Sequence, residues 1–187
     1  MPFNAITYKE IFKLIKDNKL WLGYGFKSGN AYFEVNRKSA GDFANGVYDE
    51  ETGLVKFRNV TWGTNLDIKK RHEILETINS YAKMPEKYPK YDNYDAINVD
   101  KVVEIPMDYD GVMGVPITFL DNYNPNQFEI IDINPHFFTL VEQGLPKIKQ
   151  LTLKNANKKD PYARILIKKR PLHGAHSVGS KPSEDRK

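Results

Sequence analysis

The stretch from residue 88 to residue 128 constrains the fold most, because it contains most of the turn, capping and strand patterns in the sequence. Two apolar-rich runs, 105–109 and 112–119, are separated by Asp110-Gly111, a dipeptide that is typical of a type I′ turn. This pattern predicts a β-hairpin. A proline in each run removes a backbone donor, so both arms are expected at a sheet edge or at a bulge.

A short helical turn is expected directly after this hairpin. Asn124 can act as a cap, Pro125 suits the first helical position, and Gln127 can cap in return three residues on. The turn dipeptide, the prolines and the capping residues all restrict the backbone of this one segment. The segment is therefore expected to present a fixed surface. The segment alone does not identify what that surface binds.

The composition predicts one compact domain over residues 1–170. The sequence has 187 residues, of which 40% are hydrophobic and 12% aromatic, and this is enough for a core. Residues 171–187 have almost nothing to bury and are expected to form a disordered basic tail. The absence of cysteine excludes disulfides and thiolate chemistry. The apolar runs are too short for a bilayer and the N-terminus lacks signal-peptide features, which predicts a cytoplasmic protein without membrane contact.

The net charge of +4 comes from one end of the sequence. Residues 168–187 hold six basic and two acidic residues, whereas the remaining 167 residues hold 22 of each. A basic protein invites a nucleic-acid interpretation. Because the body is neutral overall, an anion-binding face on it must be a local cluster of basic residues.

The order of helical and strand patterns predicts an α/β fold. Thr7 to Asn18 reads as an amphipathic helix that leads at once into a strand at 20–22, a succession typical of α/β sheets. A second helix is expected within 67–82, although basic residues near its start oppose the helix dipole. The other expected strands are 32–35, 54–66, 128–133, 147–153 and 162–167.

Most catalytic signatures are absent. The sequence has no GxGxxG, Walker, HExxH or Gly-x-Ser-x-Gly motif, and the glycine-rich segment 23–29 reads as a turn region. The four histidines are scattered, which argues against a metal site. The acidic region 92–110 could hold a divalent cation, or its carboxylates could cap and shape turns, and the second interpretation is favoured.

Two groups of residues could contact nucleic acid. Trp62, Asn65 and the basic run 69–72 follow a predicted strand and combine an aromatic, an amide and cations. Tyr88, Tyr91 and Tyr94 recur every three residues, with Lys87 just before them and Lys90 among them. Such residues can stack on bases and track phosphates, or they can be a core tryptophan beside a solvated helix start and amphipathic packing groups. The pattern leaves both alternatives open.

Long strings of the sequence resemble, in order, the C-terminal part of the EcoRI-type adenine-specific DNA methyltransferases. This resemblance implies a Rossmann-like fold that uses S-adenosylmethionine to methylate N6 of a flipped adenine. It extends over residues 4–168. The matching strings are NAITYKEIFKLIKDNKLWLG, TNLD followed by RH, YPKYDNYDAINVDK, IPMDYDGVMGVPITFL, NPNQFEI and PYARILIK.

The resemblance also implies what this sequence does not carry. The family's cofactor-binding glycine motif and its catalytic Asn-Pro-Pro-Phe tetrapeptide lie upstream of the stretch that begins here at Asn4, and neither occurs in these residues. Holding the adenine amino group in line with the methyl donor requires those groups. The chain is therefore expected to hold no catalytic residue and no cofactor by itself. Its expected fold is the C-terminal portion of a methyltransferase sheet with an appended α+β region that faces DNA.

The resemblance places the two residue groups in the region that should face double-stranded DNA. Related enzymes have the counterpart of the 60–66 strand beside the flipped base, although Gly63 departs from the large apolar residue that is usual there. Basic side chains in such a region position phosphates, and amides read base edges. The implied DNA contacts are Trp62, Asn65, Lys69, Lys70, Arg71, His72, Lys90, Tyr91, Asn93 and Tyr94.

Three functional interpretations follow. The first is the DNA-binding and target-recognition portion of an N6-adenine methyltransferase, as a remnant or with an upstream half as partner. The second is a mobile-element protein that reuses the fold on nucleic acid or a nucleoprotein, such as an anti-restriction or anti-CRISPR nuclease inhibitor. The third is a relic without activity. An exposed sheet edge would also favour self-association.

Overall fold

The chain has a mixed α/β fold with several sheets, in agreement with the predicted class. The computed structural model describes residues 3–23, 30–35, 43–44, 46–134, 136–144, 150–154 and 163–171. The helices are α1 (Lys9–Lys16) and α2 (Phe138–Glu142). The strands are β1 (Trp21–Leu22), β2 (Asn30–Glu34), β3 (Tyr48–Asp49), β4 (Leu54–Arg58), β5 (Gly63–Thr64), β6 (Ile97–Asn98), β7 (Met113–Pro116), β8 (Phe128–Asn134) and β9 (Arg164–Lys169).

The main sheet has four strands in the order β6-β7-β9-β8. Strand β9 runs antiparallel to both of its neighbours, and β6 pairs with β7 in parallel. The centre of β9 is buried on both faces: Ile165 and Ile167 pack in the core that holds Phe12, and Leu166 packs against Phe137 in a second cluster. Each fully buried isoleucine contributes about 2 kcal/mol of transfer free energy.

Helix α1 lies against the edge strand β8. Its residues Phe12 and Ile15 are buried, and the Lys16 ammonium donates a hydrogen bond of 2.7 Å to the Ile131 carbonyl. The predicted helix is confirmed, but it begins two residues late because residues 3–7 form a 3₁₀ turn. The Thr7 hydroxyl donates to the Asn4 carbonyl within this turn and does not cap the helix.

The described residues form two further, smaller sheets. Strand β4 pairs with β2 and β3, and β1 pairs with β5. The strand predicted at 54–66 is in fact two strands, because Asn59 adopts a left-handed conformation with φ of 50° that ends β4. The strands predicted at 32–35, 128–133 and 162–167 are confirmed as β2, β8 and β9.

The predicted hairpin over 105–119 is wrong. Only β7 forms in it, and β7 pairs with β9 over four register positions and with β6 on its other side. The first arm instead makes one isolated bridge, between Asn79 and Pro106. The Asp110-Gly111 signal is local, whereas the pairing that forms joins segments about fifty residues apart and buries β7 almost completely.

The second predicted helix, within 67–82, is also wrong. A 3₁₀ turn, Lys69–His72, is followed by extended chain over 73–80. The amide of Gln127 holds this chain: it accepts from the Leu75 N–H at 2.8 Å and donates to the Leu75 carbonyl at 2.7 Å. Two hydrogen bonds to one backbone unit favour the extended form over a helix.

The expected helical turn after residue 123 is a hydrogen-bonded turn over 125–127. The Asn124 side chain accepts from the Asn126 N–H at 2.9 Å, as a cap would, but Gln127 binds Leu75 and does not cap in return. In the strand predicted at 147–153, the described residues 150–153 form no strand, and 147–149 lie outside the description. Residues 24–29 and 172–187 also lie outside it, so the expected turn and tail stay predictions. No helix in the described ranges combines the length and apolar character that crossing a bilayer requires.

Candidate nucleic-acid interface

The 3₁₀ turn Lys69–His72, called the basic turn below, carries four consecutive basic residues on a fixed backbone. The Lys70 ammonium forms an ion pair with the Asp121 carboxylate, and both side chains are almost buried. The Arg71 guanidinium lies 3.5 Å from the centre of the Trp21 ring and donates to the Asn18 carbonyl at 3.4 Å. Stacking and ion pairing therefore fasten the turn to β1 and to the segment before β8.

These two inward contacts leave the other two side chains of the basic turn outside. Lys69 and His72 are exposed. The His72 Nε2 atom lies 2.5 Å from the Asp67 carboxylate, whereas Lys69 makes no ion pair with any residue in the described ranges. An exposed ammonium on an anchored turn is a ready contact for a phosphate.

The Trp62 indole lies directly over the backbone of Gly23. A Cβ atom placed on Gly23 would come within 2.3 Å of the ring, and the Gly23 N–H donates to the Trp62 carbonyl at 2.9 Å. The side chain of Trp62 is nevertheless 47% exposed. Asn65 is exposed just after β5. The structure therefore offers an aromatic face and an amide on the same short segment that leads to the basic turn.

Gly63, in β5, lies next to the Leu20 side chain and the backbone of β1. A Cβ atom at this position would lie 2.8 Å from the Leu20 Cδ1 atom and 3.4 Å from the Trp21 carbonyl oxygen. The contact with the β1 backbone is an ordinary one, so a side chain at position 63 requires only that the Leu20 side chain move.

The tyrosine segment, residues 88–94, is mostly inside the protein. Tyr88 and Tyr91 are buried, and their hydroxyls donate to the Glu104 carbonyl at 2.8 Å and to the Asn98 side chain at 2.7 Å. Burial raises the pKa of the Tyr91 hydroxyl. The Tyr94 ring lies 6.2 Å from that of Phe137. These contacts support the packing alternative for the tyrosines.

The polar residues of the tyrosine segment divide between structure and surface. The Asn93 amide donates to the Gln150 carbonyl at 2.6 Å and accepts from the Thr152 N–H at 3.1 Å, which ties residues 150–152 to the segment. Lys90 is exposed, and its ammonium lies 4.0 Å from the Asp95 carboxylate. Lys90 is thus the cation that this segment presents to solvent, beside the exposed Asn93.

The sequence-predicted site residues therefore fall into two separate groups. Trp62, Asn65 and the basic turn lie along one continuous segment of chain, whereas the tyrosine segment packs near β6 and residues 150–152. The sequence did not indicate Trp21 and Asp121 as anchors of the basic turn, because neither belongs to a recognisable motif.

The acidic region holds its carboxylates in local structure. Asp108 accepts hydrogen bonds from the Ser80 hydroxyl at 2.5 Å and from the Tyr81 and Ala82 N–H groups at 2.6 and 3.2 Å. The Ser80 hydrogen bond, with the backbone ones, lowers the pKa of Asp108 to about 2. Among the described residues, no group of three or more metal-ligating side chains is close enough to hold a cation. These contacts fit the turn-shaping alternative.

Comparison with known proteins gives consistent results. The pattern of the family described as "Adenine-specific methyltransferase EcoRI" matches residues 2–170. The Type II methyltransferase M.EcoRI of Escherichia coli is 43% identical over 175 residues, which are 90% of this chain and 48% of that protein. No solved structure gives a significant match.

Two mycoplasma proteins are similar over the same region. The Type II methyltransferase M.MgeORF184P of Mycoplasma genitalium is 38% identical over 179 residues, 90% of this chain and 55% of its own. The Type II methyltransferase M.MpnI of Mycoplasma pneumoniae is 37% identical over 172 residues, 89% and 54% of the two chains. The chain thus spans about half the length of the curated relatives it matches. On this evidence, the chain belongs to the EcoRI family of adenine-specific methyltransferases.

Proposed function

We propose that this chain provides the DNA-binding and target-recognition part of an N6-adenine DNA methyltransferase. Three relatives are named Type II methyltransferases, and the family is adenine-specific. Its proposed partner is double-stranded DNA. The main sheet is, in this proposal, the C-terminal portion of a Rossmann-like methyltransferase sheet, and residues 1–170 form one domain with a region that faces DNA.

The anchoring of the basic turn is the observation that carries this proposal. The ion pair of Lys70 and the stacking of Arg71 on Trp21 fix the backbone, so that Lys69 and His72 stay outside. Holding long cations in place before binding reduces the entropy that phosphate contacts must overcome. Lys69 would contact a phosphate, and His72 would do so by exchanging its Asp67 partner for one. Lys70 and Arg71 would act through the shape of the turn.

The residues along the same segment would complete the interface. The exposed indole of Trp62 can stack on a base, and the exposed amide of Asn65 can bond to a base edge. Lys90 can add a phosphate contact from the tyrosine segment. Tyr91, Asn93 and Tyr94 would support that segment from within.

The methyl donor would be bound elsewhere. The family uses S-adenosylmethionine, whose ribose is commonly held by a carboxylate in Rossmann-like sites. Trp62 is the exposed aromatic of the candidate interface, but Asp67, the next carboxylate along the chain, is engaged by His72 at 2.5 Å. This surface therefore does not fit an adenosyl group. We propose that cofactor and catalytic groups come from polypeptide outside these 187 residues.

The experiment that tests DNA binding compares two single lysine variants. Fluorescence anisotropy with a duplex at several salt concentrations should give weaker binding for Lys69→Ala, with a slope of log K against log salt that is shallower by about 0.9. Lys154→Ala removes an exposed lysine outside the interface and should leave the slope unchanged. Failure of the wild-type chain to bind any duplex would refute the proposal.

A second experiment tests the division of labour. The chain alone should transfer no methyl group from labelled S-adenosylmethionine to DNA. Mixing it with a polypeptide equivalent to the other half of the E. coli relative should restore transfer to adenine N6. Methylation by the chain alone would contradict the proposed division, whereas DNA binding would be unaffected by that result.

A further inference from the structure

An open cleft of about 780 Å³ lies at one end of the main sheet. One wall is the extended chain 74–77, and the other is the end of β9 with the residues that follow it, 168–171. Gln127 lies at its base and Met107 and Asp110 at its rim. The cleft therefore brings the basic triplet Lys168, Lys169 and Arg170 opposite the segment that begins at the basic turn.

Hydrogen bonds from Gln127 and Lys169 tie the two walls of the cleft together. The Gln127 side chain binds both the N–H and the carbonyl of Leu75, and its own carbonyl accepts from the Arg170 N–H at 2.9 Å. The Lys169 ammonium crosses between the walls, donating to the Met107 carbonyl at 2.8 Å and to the Thr77 hydroxyl at 3.4 Å. The protein's own hydrogen bonds thus connect the two walls.

These contacts divide the basic triplet into one structural and two surface cations. Lys169 is partly buried by its hydrogen bonds, whereas Lys168 and Arg170 are exposed. Neither Lys168 nor Arg170 forms an ion pair with any residue in the described part of the chain. The rim also presents exposed apolar groups, with Ile74 at 60% and Met107 at 52% exposure.

The chain that forms one wall of the cleft follows the basic turn almost at once. Between them, the extended chain is held by Asn124, which donates to the Glu73 carbonyl at 3.2 Å, and then by Gln127. Eight residues separate Lys69 from Thr77, so the two sites lie at most about 29 Å apart. That distance is shorter than one turn of B-DNA, which is about 34 Å. One duplex can therefore reach both.

We infer that this cleft is a second DNA-contact surface, in which Lys168 and Arg170 hold the phosphate backbone of the duplex that the basic turn also contacts. This inference rests on the proposed function. The carboxylates Glu76 and Asp110 also line the cleft, and they repel a phosphate chain. The three cations and two carboxylates of the cleft give a small positive excess. The surface is therefore expected to increase the affinity for DNA of any sequence, while other residues determine which bases are recognised.

The test removes both surface cations together. Lys168→Ala with Arg170→Ala should weaken binding to a duplex of arbitrary sequence about tenfold at low salt, and make the salt slope shallower by about 1.8. Lys13→Ala with Lys154→Ala removes two exposed lysines that do not line the cleft. That matched control should bind with the wild-type slope. Near-ultraviolet circular dichroism checks that each variant is folded.

A charge change of opposite sign gives an independent readout. Glu76→Gln removes a carboxylate from the cleft wall and should tighten binding, which loss of structure would not do. A wild-type affinity and slope in the Lys168/Arg170 variant would overturn the inference while leaving the basic turn intact as an interface. Unchanged or weaker binding by Glu76→Gln would overturn it too. A wild-type chain without affinity for duplex DNA would refute both proposals.

Discussion

The basic turn and the tyrosine segment look alike in sequence but occupy opposite environments. The first is a run of four basic residues that follows Trp62 and Asn65, and the second combines Lys90 and Asn93 with three tyrosines. In the first, Lys69 and His72 face solvent, while in the second, Tyr88 and Tyr91 are buried and hydrogen-bonded. Composition therefore does not separate a binding surface from a core segment. Contacts with residues far away in the sequence determine which of the two segments is exposed and which is buried.

The ion pair beneath the basic turn should give the largest effect. Lys70→Ala leaves the Asp121 carboxylate almost buried without its ammonium partner, which costs about 3–5 kcal/mol of unfolding free energy. Urea denaturation followed by circular dichroism measures this loss. The double change Lys70→Met with Asp121→Leu should recover much of the stability. The double variant thus shows whether the turn needs an ion pair at this position or only a well-packed contact.

If Lys70 were instead a surface cation of the interface, its ion pair with Asp121 would not anchor the basic turn. The contrast drawn between the basic turn and the tyrosine segment would then be wrong. Lys70→Ala would then reduce DNA affinity without lowering the midpoint of unfolding. The matched change Lys69→Ala should show this second behaviour, because Lys69 is exposed and outside every ion pair in the described ranges.

A methyl group added beneath the tyrosine segment should have the next largest effect. Gly114 lies in β7, and a Cβ atom there would come within 2.3 Å of the Tyr91 hydroxyl. Gly114→Ala should therefore destabilise the fold by about 1–3 kcal/mol through overpacking. DNA affinity per folded molecule should stay at the wild-type value. A loss of affinity in this variant would place Tyr91 in the interface.

Replacing the stacked guanidinium should produce a smaller change. Arg71→Lys keeps the charge but loses the planar group that lies 3.5 Å from the Trp21 ring centre, at a cost of about 1 kcal/mol. We expect DNA binding to weaken about fivefold with an unchanged salt slope, because the turn loosens while the phosphate contacts remain. A shallower slope in the anisotropy titration would mean that Arg71 itself contacts a phosphate.

The fold was predictable where local pattern and long-range packing agree. Helix α1 and strand β8 carry their apolar residues on the faces that become buried, so their patterns alone located them. The second helix failed because Gln127, 52 residues from Leu75, holds the backbone there extended. The hairpin failed because β9, which follows β7 by about fifty residues, pairs with it.

The sequence predicted which residues cluster in the candidate site, but it did not predict how their side chains are arranged. The sequence of residues 69–72 shows that this segment is positively charged. Which of its cations face solvent depends on Asp121 and Trp21, which lie about fifty residues away on either side in the sequence. The basic triplet at the end of β9 was assigned with the tail in the charge balance, since the sequence alone does not bring it opposite residues 74–77.

The smallest expected effect is visible only in alkaline solution. Burial raises the pKa of the Tyr91 hydroxyl above its value in the unfolded chain, which is about 10. The raised pKa means that the folded protein holds this proton more tightly. The resulting contribution to stability is complete below pH 10 and is lost progressively as the pH rises above it.

Tyr91→Phe should therefore flatten the alkaline fall in stability relative to the wild type. The variant also loses the hydrogen bond of 2.7 Å to Asn98, which costs about 1 kcal/mol at neutral pH. Urea midpoints measured at neutral pH and above pH 10 give both quantities. Since a solvent-facing tyrosine would titrate near pH 10 in both states, a parallel fall in the two proteins would show that Tyr91 is accessible. The tyrosine segment would then be a second surface like the basic turn.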